Sequence, residues 1–242
     1  MTDPLPRLDH EHWWLKLAVS ATSLLWRWHR PVVEGVRHEG PCIYVTHHGA
    51  GYLSMDLVLA IYRIGWQDWW EGRGPYRPLR IAAARSQIEQ AVPKAQRIKE
   101  LAGLIDPAEE ACTAALDAGQ QLLLTPGGSR ECQPSRDFYR LRWDGRYGFV
   151  RLAVRAGVPI VPLAIAGGAE AFPGFRYRRL SFWSPFPLPV RLRIAFGDPI
   201  PVEKAPERAR DVEYLKPIQA RSLEATQALL DRTNRLRREG AR

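Results

Sequence analysis

The chain has 242 residues, 45% of them apolar, and a net charge of +9. That is the size and make-up of one large globular domain or two small ones, and the basic balance selects anionic partners: nucleic acid, anionic lipid or a phosphorylated substrate. Three cysteines, Cys42, Cys112 and Cys132, are odd in number and hold no Cys-x-x-Cys spacing, which gives neither a disulfide framework nor a zinc site and makes a reducing cytoplasm the expectation.

Residues 1–12 are polar, with prolines and acids and no apolar run, so no secretory signal is expected there. Residues 13–28 are periodic. Lys16, Ser20, Ser23 and Arg27 share one helical face, and Trp14, Leu17, Ala18, Ala21, Leu25 and Trp28 share another. Such a helix reaches about 24 Å, short of the roughly 30 Å hydrocarbon core. It reads either as lying in a membrane interface or as packing on the domain. Seven of the nine tryptophans fall between Trp13 and Trp70, a residue that favours membrane–water interfaces.

Cys42 to Val45 is a short apolar, β-prone segment, and Leu53, Leu57, Ala60, Ile61 and Ile64 follow with helical spacing. His47-His48-Gly49-Ala50-Gly51 therefore sits where a strand gives way to a helix, the place where open α/β sheets bind ligands. Residues 65–78, with Trp66, Trp69, Trp70, Gly72, Gly74, Pro75 and Pro78, read as a loop, either in contact with lipid or folded back on the core. Leu79 to Ala84 reads as a buried strand and 86–102 as a helix disturbed at Pro93.

Asp106 suits an N-cap, Pro107 the first helical position and Glu109 a capping box, with the helix ending at Gly119. Gln121 to Thr125 is an apolar strand, and Pro126-Gly127-Gly128-Ser129-Arg130-Glu131 turns after it. Residues 146–156 form an amphipathic helix closed by Gly157, and Pro159 to Ala166 a buried strand in which Pro162 implies a bulge or a near-edge position. Residues 167–189 are rich in Gly, Pro, Phe and Arg, with a basic run at Arg176, Arg178 and Arg179. Val190 to Phe196 alternates as a strand with one exposed basic face, and 211–239 is a charged amphipathic helix interrupted near Pro217. Strand and helix alternate along most of the chain, so the expected fold class is α/β: a single domain with a largely parallel sheet flanked by helices, preceded by the amphipathic helix. The expected division is 1–30 for that helix, 31–210 for the body and 211–242 for the charged C-terminal helix.

Two glycines after a buried strand, Gly127 and Gly128, let backbone approach a ligand and can form an anion nest, and Arg130 adds a planar fork suited to phosphate. It is not a P-loop, since no Gly-Lys-Ser/Thr follows. Together the His48 and Pro126 stretches resemble the glycerolipid acyltransferase superfamily, the lysophosphatidate acyltransferase-like proteins. That family has a His-x4-Asp motif at a strand end and, seventy to eighty residues on, Phe-Pro-Glu-Gly-Thr-Arg. Here the second motif is Thr125-Pro126-Gly127-Gly128-Ser129-Arg130, with Gly127 in place of the glutamate. His48-Gly49, the Pro-Gly-Gly-x-Arg-Glu form, Gly148-Phe149-Val150-Arg151-Leu152-Ala153 and Gly157-Val158-Pro159-Ile160-Val161-Pro162 look more like the diacylglycerol acyltransferase type 2 and transmembrane protein 68 branch. Gly197-Asp198-Pro199-Ile200-Pro201-Val202 resembles the family's C-terminal Gly-Glu/Asp-Pro-Ile motif. The resemblance covers about residues 40–203.

Seven residues, not four, separate His48 from Asp56. On a continuous helix that is roughly 12 Å, too far for a hydrogen bond, so Gly49–Gly51 would have to loop to bring the two together. The resemblance implies acyl transfer to a hydroxyl, with catalytic His48 as general base and Asp56 holding the imidazole. It also implies Gly49, Gly127, Gly128, Arg130 and Glu131 as substrate-binding, Glu131 standing in for the missing motif acid. His47 is read as structural. The expected substrates are an acyl thioester donor, acyl-CoA or acyl carrier protein, and a membrane glycerolipid acceptor such as a lysophospholipid or 1-acylglycerol-3-phosphate. No metal or redox cofactor and no nucleic acid is called for, and the expected location is cytoplasmic, peripheral on an anionic membrane surface. The alternatives are a neutral acceptor such as diacylglycerol or a long-chain alcohol, a serine hydrolase, which lacks its Gly-x-Ser-x-Gly elbow here, and a non-catalytic lipid- or nucleic-acid-binding module.

Overall fold

A computed structural model describes residues 5, 8–51, 54–83, 103–178 and 180–240. The helix expected over 86–102 lies outside the described residues, as do Ala84, Arg179, and Tyr52 and Leu53 of the histidine stretch. Nine strands follow in chain order: β1 (Val32–Glu34), β2 (Ile43–Val45), β3 (Leu79–Ala82), β4 (Leu104–Ile105), β5 (Gln121–Leu124), β6 (Ile160–Ala166), β7 (Gly174–Tyr177), β8 (Leu180–Trp183) and β9 (Arg193–Phe196). Seven form one sheet in the order β1-β9-β6-β2-β5-β3-β4, while β7 and β8 form a separate antiparallel hairpin. Every pair in the large sheet is parallel except β6 with β9. This is the mixed α/β, largely parallel architecture that the alternation of elements predicts.

The two-residue period of the strands sorts their side chains between two cores. Ile43, Val45, Leu122 and Ala164 face one side, under α4 (Glu109–Asp117), α5 (Gly148–Ala156) and α7 (Val212–Glu239). Tyr44, Leu123, Val161 and Leu163 face the other, under α1 (Trp13–His29) and α2 (Met55–Ile61). The helix that follows β2 thus lies on one face, and the helix that follows its neighbour β5 lies on the other. The carboxyl ends of these two strands are thus the topological switch point, the place where such sheets bind ligands.

Four sequence expectations need correction. The helix after the histidines does not stop before 65. It continues through a π-helical turn (Tyr62–Trp66) into α3 (Gln67–Trp70). Gly65 is there for close packing: a Cβ would stand 3.2 Å from the Arg77 carbonyl oxygen and 3.4 Å from the Leu79 Cβ. Trp66 is buried in the core rather than offered to lipid. α4 starts at Glu109 with Ala108, not Asp106, at its N-cap and no side-chain cap bond. Of the two settings open to Pro162, a bulge or a near-edge position, the central place of β6 leaves the bulge. The β6–β9 register gains one residue on the β9 side between Leu163↔Phe196 and Ile160↔Ile200, so the proline sits at a bulge.

The C-terminal helix runs unbroken through Pro217, which falls in its first two turns. Asp211 caps it with Oδ1 accepting from the N–H of Glu213 and Tyr214 at 3.1 and 3.2 Å. The basic face expected of Val190–Phe196 is partly neutralised, since Arg193 pairs with Glu34.

Candidate active site

Val45 is in register with Leu124, and the Thr46 N–H extends that ladder to the Leu124 carbonyl at 3.2 Å. The parallel pairing therefore delivers the histidines and the Gly127–Glu131 turn side by side at the switch point. A hydrogen bond joins the two: the backbone N–H of His48 donates to Glu131 Oε2 at 3.2 Å. The other oxygen, Oε1, accepts the backbone N–H of Arg142 at 2.6 Å. Glu131 is buried, and burial pushes its carboxyl up while these two N–H groups pull it down. It faces inward, held by two backbone N–H groups with the Trp143 indole beside it.

Gly127 explains that position. A Cβ there would lie 2.0 Å from the Glu131 Cδ. The glutamate's carboxyl group thus fills the space in which a side chain at 127 would begin, and the missing motif acid is replaced from four residues further on. Gly128 has φ +55, a conformation that favours glycine, and its N–H is spent inside the turn on the Thr125 carbonyl at 2.9 Å. The Gly127 N–H has no acceptor among the described residues. Arg130, at the end of this turn, is exposed and has no carboxylate partner among the described residues.

Two atoms face the His48 ring at Nδ1, the Ser54 hydroxyl at 3.2 Å and the Gly49 carbonyl at 3.5 Å. A carbonyl only accepts, so the pair favours the proton on Nδ1 and leaves Nε2 as the basic nitrogen. Burial lowers the pKa of His48, so the ring is neutral near pH 7. Ser54 has a left-handed backbone (φ +48), a strained setting for a non-glycine residue just before α2. Sequence reasoning missed Ser54; the signal available was a hydroxyl six residues after the histidine.

Asp56 reaches the same loop, because Gly49–Gly51 does turn back, with Gly51 at φ +80. Its carboxylate is fully buried, yet Oδ1 accepts from the N–H of Ala50 at 2.8 Å and of Leu57 at 2.9 Å, not from His48. Oδ2 has no hydrogen-bond partner. Burial raises its pKa to about 7. Gly49 accommodates this carboxylate: a Cβ there would lie 2.2 Å from Oδ1. Gly168, which opens the short helix α6 (Gly168–Ala171), does the same on the other side, at 1.9 Å from Oδ2.

His47 points into the core. It has no exposure, its ring stands edge-on to Phe138 and Tyr139, and burial lowers its pKa to about 3. Tyr139 in turn donates to Glu170 at 2.6 Å and accepts from the Gly167 N–H at 2.9 Å, fixing the 167–171 segment beside Asp56.

No family model matches the chain. It is 29% identical over 223 residues to a Bos taurus protein described as "DGAT1/2-independent enzyme synthesizing storage lipids", covering 86% of this chain and 61% of that protein. The Homo sapiens protein of the same description is 28% identical over 223 residues, covering 86% and 63%. The chain therefore spans less than two thirds of the length of these relatives. Among solved structures it is similar to the 1-acyl-sn-glycerophosphate (LPA) acyltransferase PlsC from Thermotoga maritima, with a TM-score of 0.50 and 16% identity, covering 86% of this chain and 78% of that one. The second likeness is one of fold. The relatives' description agrees with the resemblance that the two motifs carry, and the solved structure agrees with it in fold.

Proposed function

We propose that this chain is an O-acyltransferase that moves a fatty acyl group from a thioester, acyl-CoA or acyl carrier protein, to a hydroxyl of a glycerolipid. The observation that carries this reading is a neutral histidine, held by its own backbone to a glycine turn with Nδ1 turned to Ser54 and Gly49, at the switch point of the sheet. In the step proposed, Nε2 of His48 takes the acceptor's hydroxyl proton while that oxygen attacks the thioester carbonyl. The tetrahedral oxyanion collapses with C–S cleavage, and the thiolate recovers the proton from the imidazolium. The Gly127 N–H is the donor suited to the oxyanion or a phosphate. Asp56 holds the 49–51 loop, and Ser54 orients the ring. His48→Ala should lower kcat by about 10²–10⁴-fold without unfolding the protein. His47→Ala should instead act mainly on stability, since it opens a cavity in the core. With labelled acyl-CoA and a panel of acceptors, kcat/KM for wild type should rise with pH with its midpoint below the ordinary histidine pKa, because burial depresses that of His48. An active His48→Ala enzyme would sink the proposal.

For the acceptor, the exposed Arg130 and the basic surface favour a phosphorylated lyso-lipid. The storage-lipid description of the relatives and the absence of an acid at 127 favour a neutral acceptor such as diacylglycerol. Arg130→Lys keeps the charge but loses the bidentate fork. A loss in the acceptor's kcat/KM supports the phosphorylated acceptor, whereas a loss that tracks the donor supports the neutral one. On the surface, α1 turns Leu17, Leu24 and Trp28 to solvent, which supports peripheral association with a membrane. No helix among the described residues is long and apolar enough to cross one.

A further inference from the structure

Residues 12–33 and 171–197 contain no aspartate or glutamate. The same two stretches carry most of the large apolar side chains left exposed among the described residues: the α1 stripe, and Phe175, Tyr177, Phe186 and Leu188 around the β7–β8 hairpin. They are tied to each other. His29 Nδ1 stands 2.9 Å from the Val190 carbonyl, Arg191 Nε donates to the Arg30 carbonyl at 3.3 Å, and the Val32 N–H donates to Leu192 at 2.9 Å.

Where they join, a cleft of about 500 Å³ is lined by Arg27, Trp28, His29, Arg30, Pro189 and Arg191. Several arginines elsewhere are paired, among them Arg37 with Asp68, Arg193 with Glu34 and Arg237 with Glu170. The three in the cleft have no carboxylate partner among the described residues. His29 is buried, and its Nδ1 is spent on the Val190 carbonyl. Three unneutralised guanidinium groups at one cleft call for an anion with several oxygens, which is the chemistry of a phosphate.

We propose that this cleft and the hairpin beside it form a docking surface for an anionic phospholipid bilayer. A lipid phosphate sits among Arg27, Arg30 and Arg191, while Trp28 and the hairpin aromatics enter the headgroup region. The neighbours of the cleft decide for a bilayer over a nucleic acid. Leucines such as Leu188 and Leu24 gain nothing from stacking on bases, whereas leucine, phenylalanine and tryptophan all gain from burial at a lipid interface. All four residues of β7 are exposed, and two four-residue strands are marginal in water by themselves; a lipid surface covers what the protein leaves open. The proposal rests on the membrane-facing reading of α1 but on no acyl transfer.

Co-sedimentation of the full chain with vesicles of phosphatidylcholine alone, and with about one third phosphatidylglycerol, tests it. Arg27→Gln with Arg191→Gln should cut partitioning onto the anionic vesicles about tenfold or more and leave the neutral ones unchanged. Arg235→Gln with Arg238→Gln, the same charge removed from exposed positions of α7, should change it by less than about twofold. Phe175→Ser with Phe186→Ser should weaken binding to both vesicles. Melting temperatures of all variants show that the fold is kept, and transfer to a short-chain soluble acceptor reports separately on the catalytic reading. Equal losses from the two arginine pairs would mean diffuse charge, not a site, and would overturn the proposal. So would unchanged binding by both the arginine and the phenylalanine variants. If soluble glycerol phosphate bound the cleft while vesicle binding ignored Arg27 and Arg191, the site would be one for a free phosphate and the bilayer proposal would fall.

Discussion

Glu131 lies with its carboxylate against the Cα of Gly127 and accepts one backbone N–H from each of two segments, His48 and Arg142. Both oxygens are used, so an amide cannot replace them: glutamine offers one acceptor and turns its NH₂ towards a donor. Glu131→Gln should cost ~1–3 kcal/mol in unfolding free energy, the penalty for a buried unsatisfied group. It should lower kcat at least tenfold with little change in either KM, because what moves is the base rather than a substrate contact. A raised KM at unchanged kcat would instead place Glu131 in substrate binding, the role that the sequence motif suggests. At this scale the sequence was legible in types but not in contacts. The glycine pair, the arginine and the acid were all visible as a turn. That the acid would fold back onto the glycine four places earlier depends on a close approach that no spacing rule contains. Ser54 was silent for the same kind of reason, since its hydroxyl meets His48 only because a left-handed residue precedes α2.

Between elements, Asp56 works as a wedge. It sits at the start of α2 with Gly49 on one side and Gly168, the start of α6, on the other, and both glycines are there because a Cβ would collide with the carboxylate. Its pKa stands at about 7 against an ordinary 3.8. The folded state thus binds the proton more tightly than the unfolded state, and the sign follows: stability is highest below the unfolded value and falls as pH rises from about 4 to about 7. Asp56→Asn removes the titration while keeping an oxygen for Ala50 and Leu57. Relative to this variant, wild type should lose on the order of 4 kcal/mol between pH 4 and pH 7.5 in denaturant unfolding. A pH-independent difference would mean that Asp56 is ionised throughout and paired with a group it does not contact here. Sequence spacing argued that Asp56 stood two turns from His48. The loop brought it back, but to the backbone of Ala50 instead of the ring. Elements were legible where the period was clear, as in α4, β5 and α5, although the cap signals put the start of α4 at Asp106 and it falls at Ala108. They were misread where a glycine or proline was taken as a break, because Gly65 serves packing and Pro217 falls early in a helix whose Leu215, Ser222 and Leu230 are anchored in the core.

Across the molecule, the parallel sheet and its flanking helices follow from alternation that any reader of the chain can count, and the comparison with a solved acyltransferase agrees with it. The position of α1 does not follow in that way, since its two sequence readings, membrane-facing and packed on the domain, are both compatible with the same amphipathic pattern. The structure combines them. Leu15, Val19 and Thr22 are buried against the domain, while Leu17 and Leu24 are 53% and 64% exposed. The helix has two apolar sides, and a hydrophobic wheel drawn on one period cannot say which side meets protein. Deleting residues 1–30 would therefore remove core and interface together and is a poor test of membrane binding. Two paired substitutions separate them. Leu17→Ser with Leu24→Ser should leave the melting temperature nearly unchanged and reduce vesicle partitioning at least about tenfold, since each buried leucine is worth ~1.5–3 kcal/mol at an apolar interface. Leu15→Ser with Val19→Ser should destabilise the fold by ~2–5 kcal/mol, through lost packing and buried hydroxyls, while the protein that remains folded still binds vesicles. If the two pairs exchanged effects, the exposed stripe would be the side held by protein in solution, and the membrane would have to meet the molecule elsewhere.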